Sequence, residues 1–149
     1  MFKNILVPTD GSDLSRKAIE AAIRFAADVG AKVTGVNVFD TAQGALMSEA
    51  MSREGLRRFE ARQIAEREAA RERLQEIEQA AAAADVPCTT FAEELTSSVC
   101  DGILATARKA GCDAIFMASH GRSGAKAFFL GSETNAVIDH SKIPVLVFR

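Results

Sequence analysis

Short apolar runs alternate with longer stretches of helical spacing along this whole chain, and few folds accept that pattern. Asn4 to Val7 forms an apolar strand that ends at Pro8. Ser12 or Asp13 caps the helix that follows, in which Leu14, Ala18, Ala21, Phe25 and Val29 recur at helical spacing and Gly30 closes the end. Val33 to Phe39 is a valine-rich second strand, and Thr41 to about Glu49 has no strong period. A long helix spans about Ser52 to Ala84, with Ala70, Leu74, Ile77, Ala81 and Ala84 as the stripe of one buried face. Pro87 to Phe91 is a weaker third strand. Ser97 or Ser98 starts a helix through Val99, Ile103, Leu104 and Ala107 that ends near Gly111. Ala114 to Ala118 is a fourth strand, continuous and apolar as a strand buried on both faces should be. A glycine-bearing loop leads to a last helix, about Ser132 to Asp139, and Ile143 to Phe148 is the fifth strand.

Strand and helix alternate without linker, repeat or low-complexity segment. The pattern predicts one α/β domain over 1–149, an open parallel five-stranded sheet with helices on both faces. Right-handed crossovers place every strand's carboxyl end on one edge, where ligands of such sheets bind at the reversal of strand order.

Composition narrows the function classes. With 149 residues, 48% of them hydrophobic and a net charge of −2, the chain has a core of ordinary size and no general pull toward nucleic acid or an acidic membrane. The Arg and Glu of the long helix balance one another and form a solvated face of pairs three and four apart. No apolar run is long enough for a transmembrane helix, and the start reads as a strand and not as a signal peptide. Cys88, Cys100 and Cys112 form no Cys-x-x-Cys pair, so they read as reduced, packed side chains, and the expected location is cytoplasmic.

Two loops carry the chemistry, each after a strand. The first is Pro8-Thr9-Asp10-Gly11-Ser12. The second is Met117-Ala118-Ser119-His120-Gly121, continuing through Arg122 to Gly131-Ser132 at a helix start. A helix N-terminus offers unpaired N–H groups and the positive end of a dipole, which suits a phosphate. Glycine lets backbone approach that phosphate, and Ser132 adds a hydroxyl while capping the helix. The same residues also describe a plain helix cap with loop glycines. There is no Gly-x-x-x-x-Gly-Lys-Ser/Thr loop and no Gly-x-Gly-x-x-Gly after the first strand.

Gly121, nine residues and then Gly131-Ser132, preceded by Ser-His and followed by a helix and Ile-Pro-Val-Leu-Val, resembles the universal stress protein family. The opening Ile-Leu-Val-Pro-Thr-Asp-Gly-Ser is similar to the family's first strand and loop, and the likeness covers the whole chain. The resemblance implies a Rossmann-like fold of the adenine nucleotide alpha hydrolase-like kind and an ATP site, with Mg²⁺ carried on the phosphates. It implies that Asp10 faces the ribose or adenine side, that Pro8 and Thr9 belong to the nucleotide site, and that the backbone of Val38 reads the adenine edge. Met117 and Ala118 then line the pocket, while Gly121, Gly131, Ser132 and the N–H of Glu133 gather the phosphates. By their place inside the glycine-bounded loop, Arg122 and Lys126 are suited to neutralising phosphate charge or to plain solvation. Asp10 is also suited to a simple Asx turn, Val38 to a core valine, and Met117 to core filling. The resemblance further implies a homodimer through the fifth strand.

One position departs from the family's nucleotide-binding pattern, Gly-x-x-Gly, nine residues, then Gly-Ser or Gly-Thr: Ala118 stands where the first glycine belongs. A residue finishing a strand is expected to be extended, and alanine is costly only where φ is positive. The sequence therefore favours an ATP-binding regulator or sensor of stress responses. The alternatives are a nucleotide-free dimeric interaction module and a slow ATPase. His120 has no partnered nucleophile at triad spacing, so no catalytic residue is assigned.

Overall fold

A computed structural model describes residues 1–41, 52–121 and 130–149. Among them the elements run β1 (Asn4–Pro8), α1 (Asp13–Val29), β2 (Lys32–Phe39), α2 (Arg53–Ala83), β3 (Cys88–Glu94), α3 (Val99–Ala110), β4 (Ala114–Ala118), α4 (Ser132–His140) and β5 (Val145–Phe148). All four strand pairings are parallel, in the order β3-β2-β1-β4-β5. The α/β architecture is the expected one.

Central strands of such a sheet are covered on both faces, so successive residues of β1 enter different cores. Ile5 and Val7 join Ile19 and Ile23 of α1 and Leu74 and Ile77 of α2, whereas Leu6 joins Ile103 of α3, Ile115 and Val137 of α4. Ile5, Leu6 and Val7 are all 0% exposed, which explains why β1 is apolar at consecutive positions and not at alternate ones.

Local chemistry sets most boundaries. The Ser12 side chain accepts from the Ser15 N–H at 3.2 Å, and Gly30 closes α1 at φ +69°. Ser98 likewise caps α3, and Gly111 ends it at φ +64°. The buried face of α1 is rotated from the expected stripe: Ser15, Ala18, Ile19, Ala22, Ile23 and Ala26 are buried, while Leu14, Ala21, Phe25 and Val29 are half-buried at its border. Large side chains fit at that border because they reach sideways, as Phe25 does to Phe2 and Phe116 at ring separations of 6.0 and 6.1 Å.

In α2 the expected stripe holds through Ala81, but Ala84 is exposed. The helix stops at Ala83, Asp85 turns the chain at φ +54°, and Val86 is buried instead. β3 runs three residues past Phe91 because β2 offers it a ladder out to Phe39↔Glu94. β5 begins later than expected, since the Ile143 N–H is held by Ser141 Oγ at 3.2 Å. No described helix is long and apolar enough to cross a membrane.

Candidate functional site

The strand order reverses between β1 and β4, which are followed in the chain by α1 and α4. A cavity of about 310 Å³ lies at the carboxyl ends of the strands. Ten of the eleven expected site residues line it: Pro8, Thr9 and Asp10 after β1, Val38 of β2, Met117, Ala118 and Gly121 at β4, and Gly131, Ser132 and Glu133 at α4. Arg122 lies outside the described residues, as does Lys126.

The wall on the sheet side is apolar, made by Val36, Val38 and Met117, and α3 closes it with Val99 and Ile103. Gly102 allows α3 to come this near β2, since a Cβ there would stand 2.8 Å from Val38 Cγ2. Val36 accepts the Thr9 N–H at 2.9 Å as the β1–β2 ladder ends. Strand polar groups alternate in direction, so Val38 turns its own toward the side that β1 has left.

The opposite wall is polar. Asp10 Oδ1 accepts the Ser12 N–H at 2.9 Å, so the carboxylate forms an Asx turn while it also lines the cavity. Thr9 Oγ1 accepts from the Gly11 N–H at 3.2 Å and from Ser15 Oγ at 3.0 Å. Across the cavity the Gly131 N–H donates to the Ser119 carbonyl at 2.8 Å, and Thr134 Oγ1 donates to the Ala118 carbonyl at 3.0 Å. These two bonds tie the start of α4 to the end of β4.

Two details differ from the expectation. Ser132 is the first helical residue and Gly131 occupies the cap position, with no side-chain cap bond, because Gly131 already carries the extended backbone that a cap requires (φ −63°, ψ 155°). The Gly131 N–H is engaged by Ser119, so it is not a phosphate donor. The donors that lack an intrahelical acceptor by position are the N–H groups of Ser132, Glu133 and Thr134, with the Ser132 hydroxyl beside the first. Gly131 serves through its size: a Cβ would press on His120 Cα at 3.2 Å.

Ala118 is 8% exposed and is not among the residues with positive φ. Its methyl therefore sits on ordinary strand backbone. His120, half-buried, lines the cavity with Nδ1 3.1 Å from Ser119 Oγ. Burial, with Asp101 and Glu133 adding to it, pushes the Cys100 thiol up, which keeps this neighbour of the cavity protonated and unreactive. Burial and Glu78 push Cys88 up to about 11. Among the described residues no three His, Cys, Asp or Glu side chains gather as a metal centre.

Sequence reasoning did not assign Ser15, Val36, Val99, Ile103, His120 or Thr134 to the site. Val99 and Ile103 carry only the ordinary signal of a helix's apolar face, and nothing local separates a cavity wall from a core.

These features define an open parallel α/β protein with its cleft where the strand order reverses. The chain belongs to the universal stress protein family, whose family model matches residues 1–149. A universal stress protein of Methanocaldococcus jannaschii is 30% identical over 158 residues, spanning all of this chain and 83% of the relative. A universal stress family protein of Burkholderia pseudomallei superposes with a TM-score of 0.74 at 25% identity, covering 98% of this chain and 95% of that one. The universal stress protein of Archaeoglobus fulgidus solved with dAMP has the same fold, with a TM-score of 0.69 at 19% identity over 99% of this chain and 98% of that one.

Proposed function

We propose that this protein binds an adenine nucleotide, ATP with Mg²⁺ on its phosphates, as a regulator or sensor in stress responses. The observation that carries the reading is a cavity with an apolar slot at one end and a helix N-terminus at the other. Val36, Val38, Met117 and Ile103 would sandwich the base, and Asp10 would accept from ribose hydroxyls. The N–H groups of Ser132 and Glu133 and the Ser132 hydroxyl would take the phosphates. The donor set fits the ligand, and so does the space: at about 310 Å³ the cavity stands near the small end of ligand sites, suited to a nucleoside with its phosphates over α4. A protein of this fold was solved with dAMP, which supports an adenine nucleotide as the class of ligand.

The proposal includes one domain over the whole chain, a cytoplasmic location and a homodimer through β5, the edge strand beside β4. Ala118 favours the second reading, a nucleotide-free dimeric module, because its methyl occupies a wall where the family's nucleotide-binding pattern has only hydrogen.

Thermal denaturation with and without Mg-ATP tests the proposal. At about a hundredfold above Kd a ligand adds roughly 2.7 kcal/mol, a rise in Tm on the order of 5 to 10 °C for a chain of this size. Mass spectrometry of nucleotide released on denaturation identifies the bound species. No shift at millimolar Mg-ATP would transfer the case to the interaction module.

A further inference from the structure

Asn37 is a buried polar side chain, 2% exposed, in a strand otherwise rich in valine. It lies on the face of β2 that meets α2, as Gly35 does, where a Cβ would stand 2.9 Å from Ile77 Cδ1. A carboxamide buried without partners is costly, and a leucine of similar size would fill the same space. Asn37 is not without partners. Its Nδ2 donates to the Thr9 carbonyl at 2.6 Å, and its Oδ1 faces Arg73 Nη1 of α2 at 3.5 Å. The opposite orientation of the amide would set two oxygens against each other at Thr9.

The held carbonyl belongs to the residue before Asp10. Thr9 is thereby fixed at its N–H by Val36, at its carbonyl by Asn37 and at its hydroxyl by Ser15 and Gly11. The loop is also braced from outside. Gly11, at φ +76°, lies under the Arg73 side chain, and a Cβ there would stand 3.1 Å from Arg73 Cγ. Between these two holds the Asp10 carboxylate has one oxygen on the Ser12 N–H and the other turned to Gly121.

We propose that Asn37 is a positioning residue for ligand binding: it sets the β1–α1 loop so that the Asp10 carboxylate stands at the cavity wall, with Arg73 bracing the loop from α2. The inference rests on the proposed nucleotide reading, in which Asp10 meets the ribose. Neither Asn37 nor Arg73 touches the cavity, so their effect passes through the loop.

The test is calorimetric titration of Asn37→Leu with ATP and with 2′- and 3′-deoxy-ATP, repeated in an Asp10→Ala background. Losing one buried hydrogen bond's worth of positioning weakens ATP binding about five- to tenfold. Asn37→Leu should bind ATP and the deoxy analogues more nearly alike than the unmodified protein does. The loss should vanish once Asp10 is alanine. Unchanged ATP affinity in Asn37→Leu, or an equal loss with and without Asp10, overturns the proposal. If Asn37→Leu does not fold, Arg73→Met takes its place, keeping the stem over Gly11 and removing the guanidinium, with a smaller loss in the same direction expected. A protein that binds no adenine nucleotide refutes the functional reading, and amide NMR spectra then decide the positioning claim alone. In them the Gly11 and Ser12 resonances should move in Asn37→Leu while those of α4 stay, and unmoved Gly11 and Ser12 resonances overturn it.

Discussion

The carboxylate of Asp10 occupies the space that a side chain at Gly121 would need, for a Cβ on Gly121 would overlap Asp10 Oδ2. Asp10 follows β1 and Gly121 follows β4, so this contact closes the two loops on one another at the reversal of strand order. Gly121 is not among the glycines with positive φ, which leaves room, and not backbone angle, as the reason for glycine there.

Gly121→Ala should therefore act on the ligand site before it acts on the fold. The added methyl pushes the Asp10 carboxylate off its place, while the strand ladders remain. We expect ATP affinity to fall by on the order of tenfold or more, with Tm changing by a few degrees at most, since one lost hydrogen-bonding group is worth about that much in binding. Calorimetry and a melting curve on the same preparation check it. Full affinity in Gly121→Ala would mean that Asp10 does not contact the nucleotide.

Ala118→Gly asks what the departure from the family pattern costs. The residue is in β4, opposite Phe148 of β5, and its backbone is not in the left-handed region. Glycine in a strand lowers stability by roughly 0.5 to 1 kcal/mol relative to alanine. Removing the methyl enlarges the cavity, so ATP binding should tighten or stay the same. A clear loss of affinity would show that the alanine methyl itself supports the ligand.

Acid should loosen the junction of β1 with β4. Asp113 accepts the Lys3 N–H at 2.8 Å and the Asn4 N–H at 3.0 Å, tying the starts of the two strands. Burial alone would raise the Asp113 carboxyl, but the N–H bonds from Asn4 and Lys3 overcome it and hold the group below the usual carboxylate range. A depressed carboxyl contributes stability above its unfolded pKa, near pH 4, and loses it as pH falls through the lower folded value. Asp113→Ala should cost about 2 kcal/mol at neutral pH and lower Tm by about 4 to 8 °C. The difference between variant and parent should shrink below about pH 4. A difference that persists undiminished at pH 2 would contradict the assignment.

The readable parts of this fold are those whose causes are local. Ser12 and Ser98 cap their helices, Gly30 and Gly111 end theirs in the left-handed region, and β4 shows its double burial in five consecutive apolar residues. The extent of β3 is not local: Ala92 to Glu94 are strand because β2 extends beside them. The face of α1 is decided by a sheet and a second helix together, which a single apolar stripe does not reveal. The polar half of the site was legible, since Asp10, Gly121 and Gly131-Ser132 stand in loops after strands. Its α3 wall and Asn37 were not, because Val99 and Ile103 look like core and an asparagine in a strand gives no hint of the carbonyl it will hold.

The edge strand predicts association. β5 closes one side of the sheet, and Val145, Leu146, Val147 and Phe148 are each half-buried in the single chain. A symmetric contact would cover these side chains and pair the outer N–H and C=O groups of the edge. Light scattering at tens of micromolar should give a dimer, and Val145→Lys or Val147→Lys should shift it toward monomer by placing like charges at the twofold contact. A monomeric parent protein at that concentration rules the interface out.

Binding should far exceed hydrolysis. Splitting the terminal phosphate needs a group that orients or deprotonates water beside it. The described residues at the phosphate end supply donors, the N–H groups of Ser132 and Glu133 and the Ser132 hydroxyl, and donors hold phosphate without activating water. Glu133 is a carboxylate, but it is exposed on the first turn of α4. His120 is the strongest candidate base among the described residues at the cavity, because an imidazole carries a ring nitrogen able to take up a proton. It lines the cavity beside Gly131, yet its Nδ1 is engaged by the Ser119 hydroxyl. We expect steady-state phosphate release well below the roughly 1 s⁻¹ at the slow end of typical enzymes. His120→Ala should change that rate less than tenfold and leave ATP affinity within a few fold. Several turnovers per second, abolished by His120→Ala with binding retained, would make His120 the base and this protein an ATPase.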